Sequence, residues 1–415
     1  MSLWTMLMLS VAAAGGMQPG ALRCEYKVNP LGIDAMQPRL AWKSTSSRRG
    51  EMQTAYQIIV GENEKAIQGG AGDLWDSGKV ASEQSAQITY GGKPLRSREH
   101  VWWRVRVWDR DGKVSAWTYD AWTPTHGARP TRDPATLVAG ALVAGAAPAS
   151  EFFSGGGERN ARTTYALPNE RVTSHPVPSF PVRTSSLRGL GSPQNSFANE
   201  TFMDELAAAA GIDPIELRRR HLSDPRALAA IETVAKRAGW ASRASAPERG
   251  GAASNGTRKG RGFAYVQYDR TEAYVAAVVD VDVRPDTGSV RVRRVCVAHD
   301  CGLIVNPDGL RNQIEGNVVQ AISRTLKEAV RFDSTRVTGV DWNGYPILRF
   351  SEIPDAIDVD LIDRPDQPSV GAGEAATSPI PAAIANAIFD ATGARVRQVP
   401  FTPDRVREAL RGSKV

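Results

Sequence analysis

Two hydrophobic patterns follow one another along the chain. In residues 22–125, apolar and polar side chains alternate over short stretches, most clearly in 101–108, where two arginines alternate with a tryptophan and two valines. A period of two places successive side chains on opposite faces of a strand, so residues 53–60 and 101–108 are predicted to be β-strands. Short strands at this spacing predict an antiparallel β-sandwich of about 100 residues.

From residue 159 onward the pattern changes to a mixture of helix and strand. Small and branched apolar residues alternate with polar ones in 272–283, and a Pro-Asp-Thr-Gly turn at 285–288 leads into the similar stretch 290–297. Two such segments joined by a short turn predict an antiparallel hairpin. The expected fold class is multidomain, with an all-β sandwich followed by an α+β domain.

Capping residues mark the predicted helices of this second region. Asn199 is predicted to cap a helix that Gly211 closes, while Asp213 and Asp224, each followed by proline, start two more helices. Asn306 caps a longer helix whose apolar residues recur every four positions and form one stripe. That stripe consists of Leu310, Ile314, Val318, Ile322 and Leu326.

The domain organisation follows from composition. Seven of the ten tryptophans lie between residues 42 and 122, which indicates two units with different cores. Residues 126–158 include a small, uncharged stretch without periodicity and a run of glycines, and they are predicted to form a linker. We therefore expect a sandwich at 22–125, a linker at 126–158 and a second unit at 159–415.

The N-terminal residues 1–21 share part of the pattern of a secretory signal. Residues 3–14 are apolar and run into small residues, but no Lys or Arg precedes them. A periplasmic location is expected if this segment is a signal, and a cytoplasmic one otherwise. No stretch of about 18 uninterrupted apolar residues occurs, so no membrane span is predicted.

Charge and cysteine content limit the possible partners. The 415 residues include 51 Lys+Arg and 45 Asp+Glu, a net charge of +6, and the basic residues are spread in short runs. No nucleic-acid partner is expected, because such a surface needs basic residues on one face with aromatic platforms. The three cysteines Cys24, Cys296 and Cys301 are fewer than the four thiolates of a typical [2Fe–2S] cluster, so no iron–sulfur cluster is expected in this chain.

The segment 370–379 is the strongest candidate site. Gly371 and Gly373 flank one small residue just before the lone carboxylate of Glu374, and Ser378 with Pro379 is predicted to start the next helix. A tight glycine turn would let the backbone approach a bulky group and aim the carboxylate at it, where it could act as a base. The alternative is a surface glutamate on an ordinary loop, and spacing alone favours that alternative.

Several motifs of the first region resemble the N-terminal fibronectin-III-like module of bacterial α-L-rhamnosidases. That resemblance implies a module preceding a catalytic barrel, and no rhamnosidase catalytic residue is transferred to this chain. Turn-forming acids explain Asp73, Asp76, Asp109 and Asp111 better than a glycosidase carboxylate pair. The motifs are 22–26 (LRCEY), 29–34 (NPLGID), 53–57 (QTAYQ), 74–80 (LWDSGKV) and 102–109 (WWRVRVWD).

Collinear motifs of the second region resemble the C-terminal part of the molybdopterin-binding subunit of the xanthine dehydrogenase/aldehyde oxidase family. The isoquinoline 1-oxidoreductase-like β subunits are the most similar branch, and the resemblance covers residues 159–412. The motifs are 187–194 (LRGLGSPQ), 202–207 (FMDELA), 213–218 (DPIELR), 300–302 (DCG), 306–307 (NP), 313–316 (QIEG) and 371–374 (GAGE).

The second resemblance implies a molybdenum hydroxylase that oxidises an N-heterocycle or an aldehyde. In this family the glutamate of the Gly-x-Gly-Glu motif takes a proton from a hydroxide on molybdenum, and Glu374 falls on that motif. Leu190 falls on a loop that lines the substrate pocket, and the match of Cys301 to a structural family residue argues against a zinc site. The positions that correspond to cofactor contacts are Arg188, Gly189, Gly191, Gln313, Gly316, Gly371 and Gly373.

Gly316 also has a simpler explanation. It lies inside the predicted long helix, where glycine costs about 1 kcal/mol relative to alanine, so a close approach by cofactor or backbone would account for it. Ordinary helix packing would account for it equally well.

The same resemblance implies a molybdopterin cofactor in its cytosine dinucleotide form. It also implies an iron–sulfur partner subunit and an external electron acceptor such as a cytochrome. The sandwich stands where the family has the first half of its molybdenum subunit, so three hypotheses remain. The chain is a fragment that needs another chain for activity, a carbohydrate-associated rhamnosidase module, or an inactive chimera of the two.

Overall fold

The computed structural model describes most of the chain and divides it into two compact units. Unit 1 comprises residues 1–118 with 166–171, and unit 2 comprises 119–165 with 172–415. The turn at 109–112, and most of the predicted linker and signal-like segment, lie outside the described residues. The described residues are 4–8, 17–33, 35–46, 53–68, 72–96, 100–108, 114, 116–124, 126, 143, 155–177, 182, 184–242 and 256–412.

Unit 1 is a β-sandwich, as the alternating pattern predicts, but it is not wholly antiparallel, since its strands β1 and β8 pair in parallel. Its core receives Leu40 and Trp42 from a three-stranded sheet and Ile58 and Trp103 from a five-stranded sheet. The three-stranded sheet has the order β2-β4-β7 and the five-stranded sheet the order β3-β1-β8-β5-β6. The elements are β1 Trp4–Met8, β2 Gln18–Cys24, β3 Leu31–Ile33, β4 Arg39–Thr45, β5 Ala55–Gly61, α1 Glu64–Gln68, β6 Trp75–Asp76, β7 Ile88–Thr89 and β8 His100–Trp108.

Unit 2 is an α+β domain built on a four-stranded sheet. A two-stranded ribbon of β9 (Trp117–Thr123) and β10 (Glu170–Pro176) precedes this sheet along the chain. The first two residues of each of its strands belong to unit 1. The sheet has the order β11-β12-β13-β14, antiparallel except for the parallel pair β13–β14. Its elements are α2 Ser192–Ala210, α3 Pro214–Arg219, α4 Pro225–Ala238, β11 Arg258–Gln267, β12 Tyr274–Arg284, β13 Ser289–Asp300, α5 Pro307–Leu326, β14 Ala356–Leu361, α6 Ile380–Thr392 and α7 Pro403–Gly412.

The predicted hairpin is β12–β13, and its sheet is covered closely by helix α6. Gly260 and Gly262 in β11 allow this contact, because a Cβ there would lie 2.0 Å from the carbonyl oxygen of Ala387 and 2.1 Å from that of Ala383, respectively. The two glycines therefore serve helix–sheet packing, a close approach that strand glycines often mark.

Most of the predicted helix boundaries are confirmed. Asp213, Asp224 and Asn306 accept hydrogen bonds from the first backbone amides of α3, α4 and α5. Gly211 and Gly239 end α2 and α4 with left-handed backbone conformations. The apolar stripe of α5 is buried at four of its five positions, and the fifth, Leu326, packs partly buried against the same core.

Two predicted caps are wrong. Helix α2 begins at Ser192, so Asn199 lies in its interior, where its buried amide donates to the carbonyls of Asn160 and Ala161. Helix α6 begins at Ile380 after Pro379, and the hydroxyl of Ser378 instead bonds that of Ser192 at 2.8 Å. Both side chains form tertiary hydrogen bonds that a local capping rule does not contain.

The helices also bear on the question of a membrane span. Among the described residues, no helix is both long enough and apolar enough to cross a bilayer.

Candidate cofactor and base site

The carboxylate of Glu374 is held by one donor on each oxygen. The backbone amide of Gly189 donates to Oε2 at 2.8 Å, and the hydroxyl of Tyr268 donates to Oε1 at 2.6 Å. The hydroxyl of Thr377 donates to the Glu374 carbonyl at 2.6 Å and fixes the backbone. The side chain is 36% exposed, so the carboxylate is oriented by the protein and remains accessible to a ligand.

Gly189 can make this contact because it lacks a side chain. Its φ of +95° lies in the region that favours glycine. A Cβ at this position would lie 2.7 Å from Oγ1 of Thr377 and 2.8 Å from Cγ of Pro193. The glycine therefore brings the 188–191 turn against the segment that carries Glu374.

Arg188 links three parts of the predicted site. Its Nε donates to the carbonyl of Gly373 at 2.6 Å and its Nη2 donates to Oε1 of Gln313 at 2.6 Å. The Arg188 carbonyl accepts from Arg324 at 2.8 Å. Burial and the charge of Arg324 lower the pKa of Arg188. Because Gln313 Oε1 is engaged by a guanidinium, its amide nitrogen is the group left to act as donor toward a ligand.

Gly373 of the Gly371–Gly373 motif faces open space, and Gly371 meets only an ordinary contact. Neither has a positive φ, so the tight left-handed turn that glycine uniquely permits does not form here. Among the described residues, no atom lies within 4 Å of where a Gly373 Cβ would be, and at Gly371 the nearest is Glu272 Oε2 at 3.5 Å. Contacts within this chain do not require glycine at either position.

Gly316 lies on the exposed face of α5 beside Arg188. The nearest atom to its would-be Cβ is Arg188 Nη1 at 3.7 Å, an ordinary contact distance. Within the part of the chain that the structure describes, helix packing therefore does not explain this glycine. Its face is the one that presents Gln313 to Arg188.

A cavity of about 320 Å³ adjoins this cluster. Gln313 and Gly373 line it together with the first turn of α5, which contributes Asn306 and Gly309. The remaining lining is largely apolar and consists of Cys301, Leu303, Ile304, Val305, Leu310, Ser369, Val370 and Ala372. The cavity thus combines a helix N-terminus, the side-chain amides of Asn306 and Gln313, and exposed backbone beside the Glu374 segment.

Leu190 and Gly191 lie on the other side of the 188–191 turn. A Gly191 Cβ would lie 2.1 Å from the carbonyl oxygen of Gly157, and the Gly191 amide donates to the carbonyl of Gly156 at 2.9 Å. Leu190 is half-buried with a φ of +49° and does not line the cavity beside Gln313. Close packing against the backbone of residues 156–157 thus accounts for the glycine at position 191.

The sequence did not indicate Tyr268 or Arg159, although both belong to the site. Arg159 Nη1 donates to the Tyr268 hydroxyl at 3.0 Å and lies 4.0 Å from Glu374 Oε1. Burial and the neighbouring Glu374 raise the pKa of Tyr268, which keeps its hydroxyl protonated as a donor. These residues are more than 100 positions apart from one another or from Glu374, so no spacing rule could group them.

The other polar candidates have structural partners. Asp76 accepts from the amide of Gly78 at 2.9 Å, as a turn-forming acid does, whereas Asp73 accepts from the amide of Glu62 at 3.1 Å across eleven positions, which is a tertiary contact and not a turn. Burial raises the pKa of Cys296 to about 11 and that of Cys301 above its usual value. The described residues contain no group of three or more His, Cys, Asp or Glu arranged to hold a metal ion.

Comparison with family models identifies the two parts of the chain. Residues 19–126 match a model described as a Rha78A-like, N-terminal immunoglobulin domain, and residues 96–222 and 198–354 each match a molybdopterin cofactor-binding domain. The chain therefore carries an N-terminal immunoglobulin-like domain of the Rha78A type and molybdopterin cofactor-binding domains. Both resemblances in the sequence are confirmed.

Individual relatives agree with this assignment. The chain is 43% identical over 332 residues to one subunit of the nicotinate dehydrogenase of Pseudomonas putida, covering 76% of this chain and 27% of that protein. It is 33% identical over 240 residues to the β subunit of the isoquinoline 1-oxidoreductase of Brevundimonas diminuta, covering 58% and 29%. An α-L-rhamnosidase of Streptomyces avermitilis is 44% identical over 101 residues, covering 24% and 10%. The chain thus spans less than a third of each of these relatives.

A solved structure shows the same fold. Quinoline 2-oxidoreductase from Pseudomonas putida 86 superposes with a TM-score of 0.58 over 76% of this chain and 65% of that chain, at 15% identity. At this identity the similarity concerns the fold alone.

Proposed function

We propose that unit 2 forms one side of the molybdopterin site of a molybdenum hydroxylase that oxidises an N-heterocycle or an aldehyde. One observation carries the proposal: a glutamate oriented by two donors lies directly beside the Arg188–Gln313–Gly373 cluster and its cavity. The relatives named nicotinate dehydrogenase and isoquinoline 1-oxidoreductase support the substrate class.

The residues present fit one side of the cofactor. A pterin is a flat heterocycle with both donors and acceptors, which suits the Gln313 amide and the exposed backbone at Gly373. The open space at Gly371 and Gly373 admits a bulky group where any Cβ would narrow the approach. A volume of about 320 Å³ is at the small end of ligand pockets, so it suits a portion of a pterin dinucleotide.

Each residue has a defined role in this proposal. When bound, the molybdenum–pterin cofactor supplies the two-electron oxidation of the substrate. Gln313 and the Gly373 backbone hold it, Arg188 fixes both, and Gly316 keeps the adjacent helix face open. Glu374 acts as the base, since its carboxylate is oriented and accessible and can accept a proton. We keep Leu190 as a substrate-lining residue of the assembled site.

The partners follow from what this chain contributes. Its three cysteines are all buried and are too few for the four thiolates of a [2Fe–2S] cluster. We therefore propose an iron–sulfur partner subunit. As the family resemblance implies, we also propose an acceptor such as a cytochrome and the cytosine dinucleotide form of the cofactor. The contacts of unit 2 retain the cofactor, and a further chain completes the site for turnover, because preorganisation of such a site is shared by both sides.

Metal and pterin analysis of the full chain tests this function. The chain is expressed with and without added molybdate in cells that make the cytosine dinucleotide cofactor, purified, and analysed for molybdenum and for released pterin. Retention of both in a fixed ratio, and loss of both in Arg188→Ala, is the expected result. A molybdenum-free chain from molybdate-replete cells would overturn the proposal.

A second candidate function belongs to unit 1. Its match to a Rha78A-like immunoglobulin domain, and the rhamnosidase relative, favour a carbohydrate-associated module. Titration of the full chain with L-rhamnose and an aryl α-L-rhamnoside, followed by calorimetry, tests it. Binding would support this role, whereas a chain that binds neither sugar nor molybdenum would be an inactive chimera.

A further inference from the structure

Arg159 holds the side chain of Tyr268, whose hydroxyl bonds Glu374. Arg159 donates to its hydroxyl at 3.0 Å, and the guanidinium lies 5.2 Å from the centre of its ring. A second Arg159 nitrogen lies 3.2 Å from the carboxylate of Asp269. The tyrosine side chain is 1% exposed, so its hydroxyl has no freedom to turn toward solvent.

Asn160 holds the backbone on both sides of Tyr268. Its amide nitrogen donates to the carbonyl of Gln267 at 2.8 Å, and its amide oxygen accepts from the backbone of Asp269 at 3.0 Å. The same oxygen accepts from the hydroxyl of Ser192 at 2.7 Å. This bridge fixes the end of β11, where the chain would otherwise be free to turn.

The backbone around this bridge is held in an uncommon conformation. Asn160, Asp269 and Arg270 have φ values of +60°, +51° and +63°, in the left-handed region that costs non-glycine residues energy. Such conformations persist only where surrounding contacts impose them, and they concentrate at functional sites. Here they aim one hydroxyl at one carboxylate oxygen.

We infer that Tyr268 is the positioning residue of Glu374, and that Arg159 and Asn160 hold Tyr268 for this purpose. With Oε1 on the tyrosine hydroxyl, Oε2 meets the Gly189 amide and the carboxylate has a single orientation. Because Glu374 as base is part of the proposed function, the catalytic meaning of this inference rests on that proposal. The geometric claim can be tested without cofactor.

Amide hydrogen exchange at Gly189 in the purified full chain tests it. In Tyr268→Phe, Glu374 loses the hydrogen bond from the tyrosine hydroxyl, and its carboxylate moves away from the Gly189 amide. Hydrogen exchange of the Gly189 amide then accelerates roughly tenfold, as expected for losing a hydrogen bond to a charged group. The matched control is Tyr345→Phe, which removes a 2.8 Å tyrosine–glutamate bond to Glu328 elsewhere in unit 2 and leaves Gly189 exchange unchanged. Equal Gly189 rates in Tyr268→Phe and Tyr345→Phe would overturn the inference.

A second variant, at the half-buried Arg159, decides the case if Tyr268→Phe does not fold. Arg159→Gln removes the guanidinium that contacts the hydroxyl and the ring of the tyrosine, and its effect on Gly189 exchange is in the same direction but smaller, roughly threefold. No change in Arg159→Gln would then overturn the inference. In cofactor-loaded protein, Tyr268→Phe lowers kcat more than it changes KM. A chain that binds no molybdenum would refute the proposed function, but it would not change the result of the hydrogen-exchange experiment.

Discussion

The Tyr268 hydroxyl donates a 2.6 Å hydrogen bond to Oε1 of Glu374, across 106 positions of sequence. The carboxylate predicted from a short glycine motif thus depends on a residue that the motif does not contain. Unit 2 presents this pair beside Gln313 and the Gly373 backbone, so both the proposed base and the proposed cofactor contacts belong to one cluster.

Gly189→Ala should destabilise unit 2 and release Glu374. The alanine would have to adopt a φ of +95°, and its Cβ would lie 2.7 Å from Thr377 Oγ1. We therefore expect a loss of about 2 kcal/mol or more in the free energy of unfolding. Urea denaturation measures it. Gly373→Ala is the matched control, since nothing among the described residues lies within 4 Å of its Cβ, and it should change stability by less than about 0.5 kcal/mol.

Gly373→Ala should instead lower cofactor retention. The added methyl enters the space that the proposed cofactor occupies, so molybdenum content per chain falls while the unfolding midpoint stays constant. Elemental analysis alongside the denaturation curves measures both. An unchanged molybdenum content would show that this open space is not a cofactor contact.

Arg218→Met should be strongly destabilising. Arg218 is fully buried and bonds Glu200 at 2.8 Å, so its removal leaves a buried carboxylate without a counter-charge, at a cost of about 3–5 kcal/mol. The control Arg220→Met removes the exposed i,i+4 pair with Glu216 and should cost less than about 0.5 kcal/mol. Equal unfolding midpoints for the two variants would contradict this account.

His299 should weaken the fold in mild acid. Burial lowers its pKa from 6.5 to about 4, and among the described residues neither ring nitrogen has a hydrogen-bond partner. Between these pH values the unfolded chain binds a proton that the folded chain does not, so stability falls as the pH drops from 6.5 to about 4, by about 3 kcal/mol in total.

The variant His299→Leu isolates this contribution. Its free energy of unfolding should lack that part of the pH dependence, whereas the partly exposed His175 replaced by Gln should keep it. Denaturation at pH 7, 5.5 and 4.5 compares the three proteins. Parallel curves for wild type and His299→Leu would show that His299 binds its proton over the same pH range in the folded and the unfolded chain.

The fold could be predicted where local pattern and tertiary structure agree. The β12–β13 hairpin and the stripe of α5 follow from periodicity, because one face of each meets the core. Asn199 and Ser378 could not be placed, since their hydrogen bonds run to residues that only the folded chain brings near. Local capping preferences were outweighed there by buried tertiary partners.

The candidate site, like the fold, could be predicted from the sequence only in part. Arg188, Gln313 and Glu374 lie in contiguous motifs, and the structure brings these motifs into one cluster. Tyr268 and Arg159 belong to none of these motifs, and their roles depend on distances between segments that are far apart in sequence. Sequence could have flagged Tyr268 only as a polar aromatic at the end of a strand, which by itself predicts nothing specific.

The assignment of Glu374 as the base is tested by the turnover of Glu374→Gln per bound molybdenum. The amide cannot accept the proton, so in the enzyme assembled with the chains that complete its site, with an N-heterocyclic substrate and an artificial acceptor, the rate should fall roughly 10²- to 10⁴-fold at unchanged molybdenum content and unfolding midpoint. Glu328→Gln, whose carboxylate also accepts from a tyrosine, should keep wild-type turnover. A Glu374→Gln protein that turns over as fast as Glu328→Gln would contradict the assignment of Glu374 as the base.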